Sequence, residues 1–134
     1  SYSYFGEYNM GKRHGFGIYS WANGDRFQGQ WENDNKVHGK YMWKDKSSYE
    51  GSFKGIDFHG FGKYTYSNGD TYEGQYVQNK KNGRGIYRWA EGSKYDGEWK
   101  DDKKHGKGVY IDKFGKKRHG VWVNGEEQGD ETNQ

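Results

Sequence analysis

Three histidines, His14, His59 and His105, each precede a glycine in closely similar contexts, "HGFGIY", "HGFGKY" and "HGKGVY". Imidazole binds transition metals and exchanges protons near neutral pH, so a recurring histidine invites a metal or acid–base reading. Glu50, Glu73 and Asp96 form a second recurring set, and paired carboxylates are the machinery of glycoside hydrolysis. The stretch "GKGVYIDKFGKK" at 106–117 has the glycine and lysine of a phosphate-binding loop. All three ideas depend on which elements hold these residues and how far apart they fall.

The elements are set by a repeat. An aromatic-x-Gly-x-aromatic unit recurs at Tyr4–Tyr8, Phe27–Trp31, Tyr49–Phe53, Tyr72–Tyr76 and Tyr95–Trp99, with a degenerate copy at Arg118–Trp122. Its central glycines lie 23, 22, 23, 23 and 23 residues apart. A second element follows at fixed offset: "HGFGIYSW", "HGFGKYTY", "NGRGIYRW" and "HGKGVYID". Both alternate with period two, the pattern of strands. Each unit of about 23 residues therefore predicts one β-hairpin, and the array reads as an all-β, single-layer antiparallel sheet of five to six consecutive hairpins over 1–125. Residues 126–134 are expected to be a polar, acidic, disordered tail.

The second copy, "VHGKYMW", is shorter. Counting back from Tyr41 and Trp43 aligns Gly39 with Gly17. This puts Lys36 and Val37 in the His-Gly slot and assigns the missing residue to the preceding turn. Parity shapes the other turn. For Trp21 and Phe27 to share a face, Ala22-Asn23-Gly24 must be a three-residue loop with a left-handed third residue. Gly69, Gly92 and Gly115 fill the same slot, and Lys46 fills it in the second copy.

These elements weigh against the chemistry. Strands lie ~4.8 Å apart, which separates His14 from His59 by roughly 19 Å. That is too far for a shared ion, so the histidines are read as turn supports. The carboxylates fall ~9.6 Å apart on an open face and are read as a solvated row. The 106–117 stretch lacks the helix that a phosphate loop requires. Serine follows no pattern that suggests a nucleophilic triad. We expect no catalytic, metal or cofactor site.

Composition fits this picture. The chain has 134 residues, no Cys, no Pro, no Leu, 26 aromatic residues and 23 Gly. Disulfides and thiolate metal sites are excluded. Rings must do the packing that branched aliphatics usually do. Glycines at Gly6, Gly17, Gly29, Gly39, Gly51, Gly62, Gly74, Gly85, Gly97, Gly108 and Gly120 are expected to leave room for rings to lie flat. The net charge of +3 does not imply a nucleic-acid partner. One row of turns carries nine Lys/Arg against five Asp/Glu and the other seven against five, too even to mark an anionic-membrane surface.

The stretch "YFGEYNMGKRHGFGIY" at 4–19 resembles the repeat of the MORN family (membrane occupation and recognition nexus), with Tyr8 where the family has Trp. The resemblance runs over about 4–125. It implies an elongated, twisted one-layer sheet and a module that binds proteins or associates with membranes, often in cilia and cytoskeletal assemblies. From the residues, a one-layer sheet leaves an aromatic face uncovered. Tyr19, Trp21, Trp31, Tyr41, Trp43, Tyr64, Tyr66, Tyr87, Trp89 and Trp99 are expected to line a partner-binding groove. The expectation is a non-catalytic cytoplasmic scaffold that holds a protein partner in a ciliary axoneme, radial-spoke-like, or in the cytoskeleton. The alternatives are a peripheral module for anionic phospholipids and the array of a larger lipid-kinase-like enzyme. Weak lipid contact and homo-oligomerisation stay open.

Overall fold

The computed structural model describes residues 2–130. Its strands are β1 Ser3–Asn9, β2 Lys12–Ser20, β3 Arg26–Glu32, β4 Asn35–Met42, β5 Ser48–Lys54, β6 Asp57–Thr65, β7 Thr71–Val77, β8 Lys80–Arg88, β9 Lys94–Lys100, β10 Lys103–Ile111, β11 Lys117–Val123 and β12 Glu126–Asp130. They form one antiparallel sheet in chain order, six hairpins side by side, and no helix occurs among the described residues. The degenerate sixth copy thus folds as a hairpin like the others. The stretch expected to be a tail from 126 opens with strand β12, whereas 131–134 lie outside the described residues.

The register explains the glycines. Gly6, Gly17, Gly29, Gly39, Gly51, Gly62, Gly74, Gly85, Gly97, Gly108 and Gly120 are successive cross-strand partners, making one row across the sheet. Tyr4, Tyr49, Tyr72 and Tyr95 lay their rings along this row. Their hydroxyls donate to the carbonyls of Glu7, Ser52, Gln75 and Glu98 at 2.8, 2.8, 3.0 and 3.1 Å. A Cβ on Gly62 would collide with the Tyr49 ring, and one on Gly85 with the Tyr72 ring.

The two edges are closed by different turns. Along one edge, two-residue loops such as Gln78-Asn79 and Asp101-Asp102 have positive φ at both residues, the twist-matched hairpin turn. Along the other, Gly24 N–H donates to Trp21 O at 3.1 Å and Trp21 N–H to Asp25 O at 3.0 Å, which is the expected three-residue loop. Gly24 has φ +101° and Lys46 has φ +79° in the equivalent slot.

The His-Gly motif builds a bulge rather than a turn. Gly6 pairs with Gly17 and Tyr8 with Arg13, so Glu7 alone faces His14, Gly15 and Phe16. Gly15 takes φ +78° there, and the Glu7 carboxylate accepts the Phe16 N–H at 2.6 Å. Residues 59–61, 82–84 and 105–107 repeat this arrangement. In the second hairpin only Val37 is extra, because Gln30 pairs with His38 and Trp31 with Lys36. Its turn, Asn33-Asp34, keeps two residues. The missing residue was therefore lost from the bulge and not from the turn, and Lys36 occupies the Arg13 position rather than the histidine slot.

Candidate functional site

Rings on the glycine-row face divide by strand parity. Those of the odd strands from β3 onward form the core, with Tyr4 of the edge strand β1 partly buried against it and Tyr8 exposed. Phe27, Tyr49, Tyr72 and Tyr95 are completely buried, and Trp31, Phe53, Tyr76, Trp99 and Trp122 nearly so. They meet edge to face, as in Phe27–Phe53 at 5.4 Å, Tyr49–Tyr76 at 5.4 Å and Tyr72–Trp99 at 5.4 Å. Such pairs contribute roughly 0.5–1.5 kcal/mol each beyond area burial. Several of them join one repeat to the next.

Rings of the even strands are half-buried and form a continuous ladder. Tyr19, Trp21, Tyr41, Trp43, Tyr64, Tyr66, Tyr87, Trp89 and Tyr110 follow one another with centroids 4.4, 5.1, 4.7, 5.3, 4.5, 5.7, 4.9 and 5.9 Å apart. Tyr2 from the first strand region stacks on its start at 5.2 Å. The ladder brings together eight of the ten residues expected in the groove. The other two, Trp31 and Trp99, belong to the odd strands and the core. Their indole N–H groups donate to Gly17 O and Gly85 O at 3.2 and 3.1 Å. They are corrected from groove residues to packing residues, since alternation gave their face but not the neighbours that cover them.

Two ladder rings are pinned from the loop edge. Asp25 accepts from the Tyr41 hydroxyl at 2.9 Å and the Lys44 N–H at 3.0 Å, and Asp70 accepts from the Tyr87 hydroxyl and the Ala90 N–H, both at 2.8 Å. The Ala90 N–H and the Tyr87 hydroxyl hold the Asp70 carboxyl below its usual range. Burial, then the adjoining aspartate, raises the Tyr41 and Tyr87 hydroxyls well above theirs.

A row of cations lies between core and ladder, and sequence reasoning missed its role. Arg13, Lys36, Lys81 and Lys104 pair with Tyr8, Trp31, Tyr76 and Trp99, which puts them on the ring face rather than in the basic turns. Arg13 sits 4.7 Å from the Trp31 ring centroid. Lys36 Nζ lies 5.8–5.9 Å from Trp21, Phe27, Trp31 and Phe53. Lys81 Nζ lies 5.4–5.9 Å from Tyr66, Tyr72, Tyr87 and Trp99. Phe58 takes the equivalent place in the third repeat and stacks on Tyr49 at 4.0 Å. The findable signal was strand parity: each cation stands four residues before a row glycine, or three in the shortened second copy, across the bulge.

The residues that suggested chemistry are placed elsewhere. Glu50, Glu73 and Asp96 alternate with ring residues and so lie on the opposite face. Glu73 pairs with Arg88 at 3.4 Å and Asp96 with Arg84 at 3.3 Å. His14 and His59 sit in separate bulges, each with a buried Nδ1 lacking a partner, while His105 Nδ1 accepts the Asn124 N–H of the next turn at 3.4 Å. Among the described residues, no group of three or more His, Cys, Asp or Glu is placed to hold a metal. No helix there is long and apolar enough to cross a membrane.

This architecture defines a β-hairpin repeat protein with one uncovered aromatic face. Residues 4–26, 27–48, 49–71, 72–94 and 95–113 each match the MORN repeat family model, and the chain belongs to that family. MORN repeats mark it as a repeat protein that binds membranes or proteins. No curated protein matched the chain in a similarity search.

Proposed function

We propose that the chain is a non-catalytic scaffold which holds a protein partner along the ring ladder, as part of a ciliary or cytoskeletal assembly. The observation that carries this reading is the unbroken line of half-buried Trp and Tyr rings from Tyr19 to Tyr110. Trp and Tyr dominate binding hot spots, and a row of pre-ordered rings loses little side-chain entropy when a partner covers it.

The test is affinity capture followed by cross-link mapping, using the wild type and variants checked for folding. Trp43→Ala and Trp89→Ala are each expected to weaken partner retention by about 2 kcal/mol or more, with Glu73→Ala on the opposite face nearly neutral. Equal losses for all three would mean that the partner does not use the ladder. Salt-sensitive flotation with phosphoinositide vesicles, abolished by the same Trp variants, would replace the protein partner with a membrane.

A further inference from the structure

The cation row differs from repeat to repeat in whether a counter-charge is built in. Four of the two-residue turns reach back over the corresponding position of the repeat before. Asp34 N–H donates to Arg13 O at 3.0 Å and its carboxylate meets Arg13 Nε at 3.0 Å. Asp102 N–H donates to Lys81 O at 3.0 Å and its carboxylate lies 3.8 Å from Lys81 Nζ. Over uncharged Phe58 the turn residue is Asn79, whose side chain accepts the Phe58 N–H at 2.8 Å. Over Lys104 the residue is Gly125, whose N–H donates to Lys104 O at 2.8 Å but which carries no side chain. The turn that follows Lys36 is Gly55-Ile56, which has no carboxylate either.

Lys36 and Lys104 are therefore ammonium groups set among rings, and neither has a carboxylate within 4.0 Å among the described residues. Glu127 and Arg118 both act on Lys104 through space, but Glu127 is itself paired with Arg118 at 2.8 Å, and the charged neighbour of Lys36 is Arg13. Burial lowers the pKa of both, so their charged forms are incompletely solvated. Lys104 also borders the Trp89 end of the ladder, 5.0 Å from that ring centroid.

We propose that the partner segment which docks on the ladder is acidic, and that its carboxylates pair with Lys36 and Lys104. This rests on the docking reading above and adds the partner's chemistry to it. A carboxylate at either lysine would make a charge-assisted hydrogen bond in surroundings where rings have already displaced water. The lysines lie three repeats apart, ~29 Å at ~4.8 Å per strand, which an extended chain covers in about nine residues. An acidic segment fits this arrangement better than a membrane surface does. Both lysines are half-buried with their ammonium groups 5.0–5.9 Å from ring centroids, a setting that suits a single inserted carboxylate more than a planar array of headgroups.

The test is a phage-displayed random peptide library, long enough to span the ladder and selected on the full chain. Selected peptides are expected to carry at least two Asp or Glu together with apolar residues, and to bind more weakly as salt rises. Lys36→Met and Lys104→Met, which keep the stem against the rings, should each weaken those peptides by about tenfold, as losing a charged pair implies. Lys63→Met on the opposite face should leave them unchanged. Near-ultraviolet circular dichroism verifies folding, and because the two lysines lie in separate repeats, either variant alone keeps the test decisive. Peptides without acidic enrichment that respond to Trp43→Ala but not to the lysine variants overturn the acidic partner and leave the docking reading intact. Peptides indifferent to Trp43→Ala overturn both. No selected peptide, with phosphoinositide vesicles bound through Lys36 and Lys104, overturns the proposal in favour of lipid, and no binding of either kind overturns it outright.

Discussion

Lys46 holds φ +79° in the slot that Gly24, Gly69, Gly92 and Gly115 fill elsewhere. A side chain with a Cβ is strained there by roughly 1–2 kcal/mol. Lys46→Gly removes that strain while adding unfolded-state entropy, so a net gain of about 0.5–1 kcal/mol is expected. It should appear as a higher urea midpoint at unchanged slope. Ser47→Gly, one residue on, is expected to destabilise, because the buried Ser47 donates its N–H to Asp45 at 2.9 Å and its hydroxyl to the same carboxylate. Both the strain and its location were legible from parity, since a three-residue loop between Trp43 and Ser47 admits only one left-handed position.

At the scale of elements, the turn of one hairpin fastens the strand of the hairpin before it. Asp102 illustrates the device: its N–H reaches Lys81 O, and its carboxylate accepts the Lys81 N–H at 2.8 Å. Asp102→Ala removes the acceptor and is expected to cost about 1 kcal/mol in urea unfolding. Asp102→Asn should retain most of the stability, as Asn79 makes the same contact to Phe58. An equal loss for Asn and Ala would show that charge rather than the hydrogen bond matters. The second and third hairpins lack this fastening, as no side chain of Gly55-Ile56 bonds back to Lys36. These links were not legible, because they join residues about twenty apart through a bulge that alternation hides. A bulge of three residues against one adds an even number, so the in–out pattern continues undisturbed through His14, Gly15 and Phe16. Only the second hairpin, with an odd bulge, broke the pattern, and parity alone could not show whether turn or bulge had shortened. The glycine row was legible for the converse reason: a ring two residues before a glycine needs no long-range information to find its seat. The division of rings into core and ladder needed such information, because it depends on what neighbouring strands place beside each ring.

Across the whole molecule, stability rests on ring contacts passed from repeat to repeat, so it should be unusually sensitive to tyrosine ionisation. Tyr49 and Tyr95 are pushed up to about 12 by burial, and Tyr72 and Tyr76 are raised further for the same reason. In the unfolded chain tyrosine ionises near 10. Below that pH both states keep the proton, and the contribution of these rings is complete. Above it the unfolded state releases protons that the folded state retains, so stability falls by about 1.4 kcal/mol per pH unit for each such tyrosine. Lys36 and Lys104 act in the opposite sense. Their lowered folded values make stability rise with pH, but only until the unfolded lysines lose their own protons near 10.4. The net expectation is a shallow rise toward pH 10 followed by a steep loss, with tyrosinate absorbance and far-ultraviolet ellipticity changing in one coincident transition. Stacked repeats that share these rings should lose them together. Tyr76→Phe, which places in the fourth repeat the residue that Phe53 already supplies in the third, should move the transition to higher pH. Tyrosinate forming gradually from pH 10 with ellipticity intact would instead mean that water reaches the odd-strand rings, and that they are not the core that joins one repeat to the next.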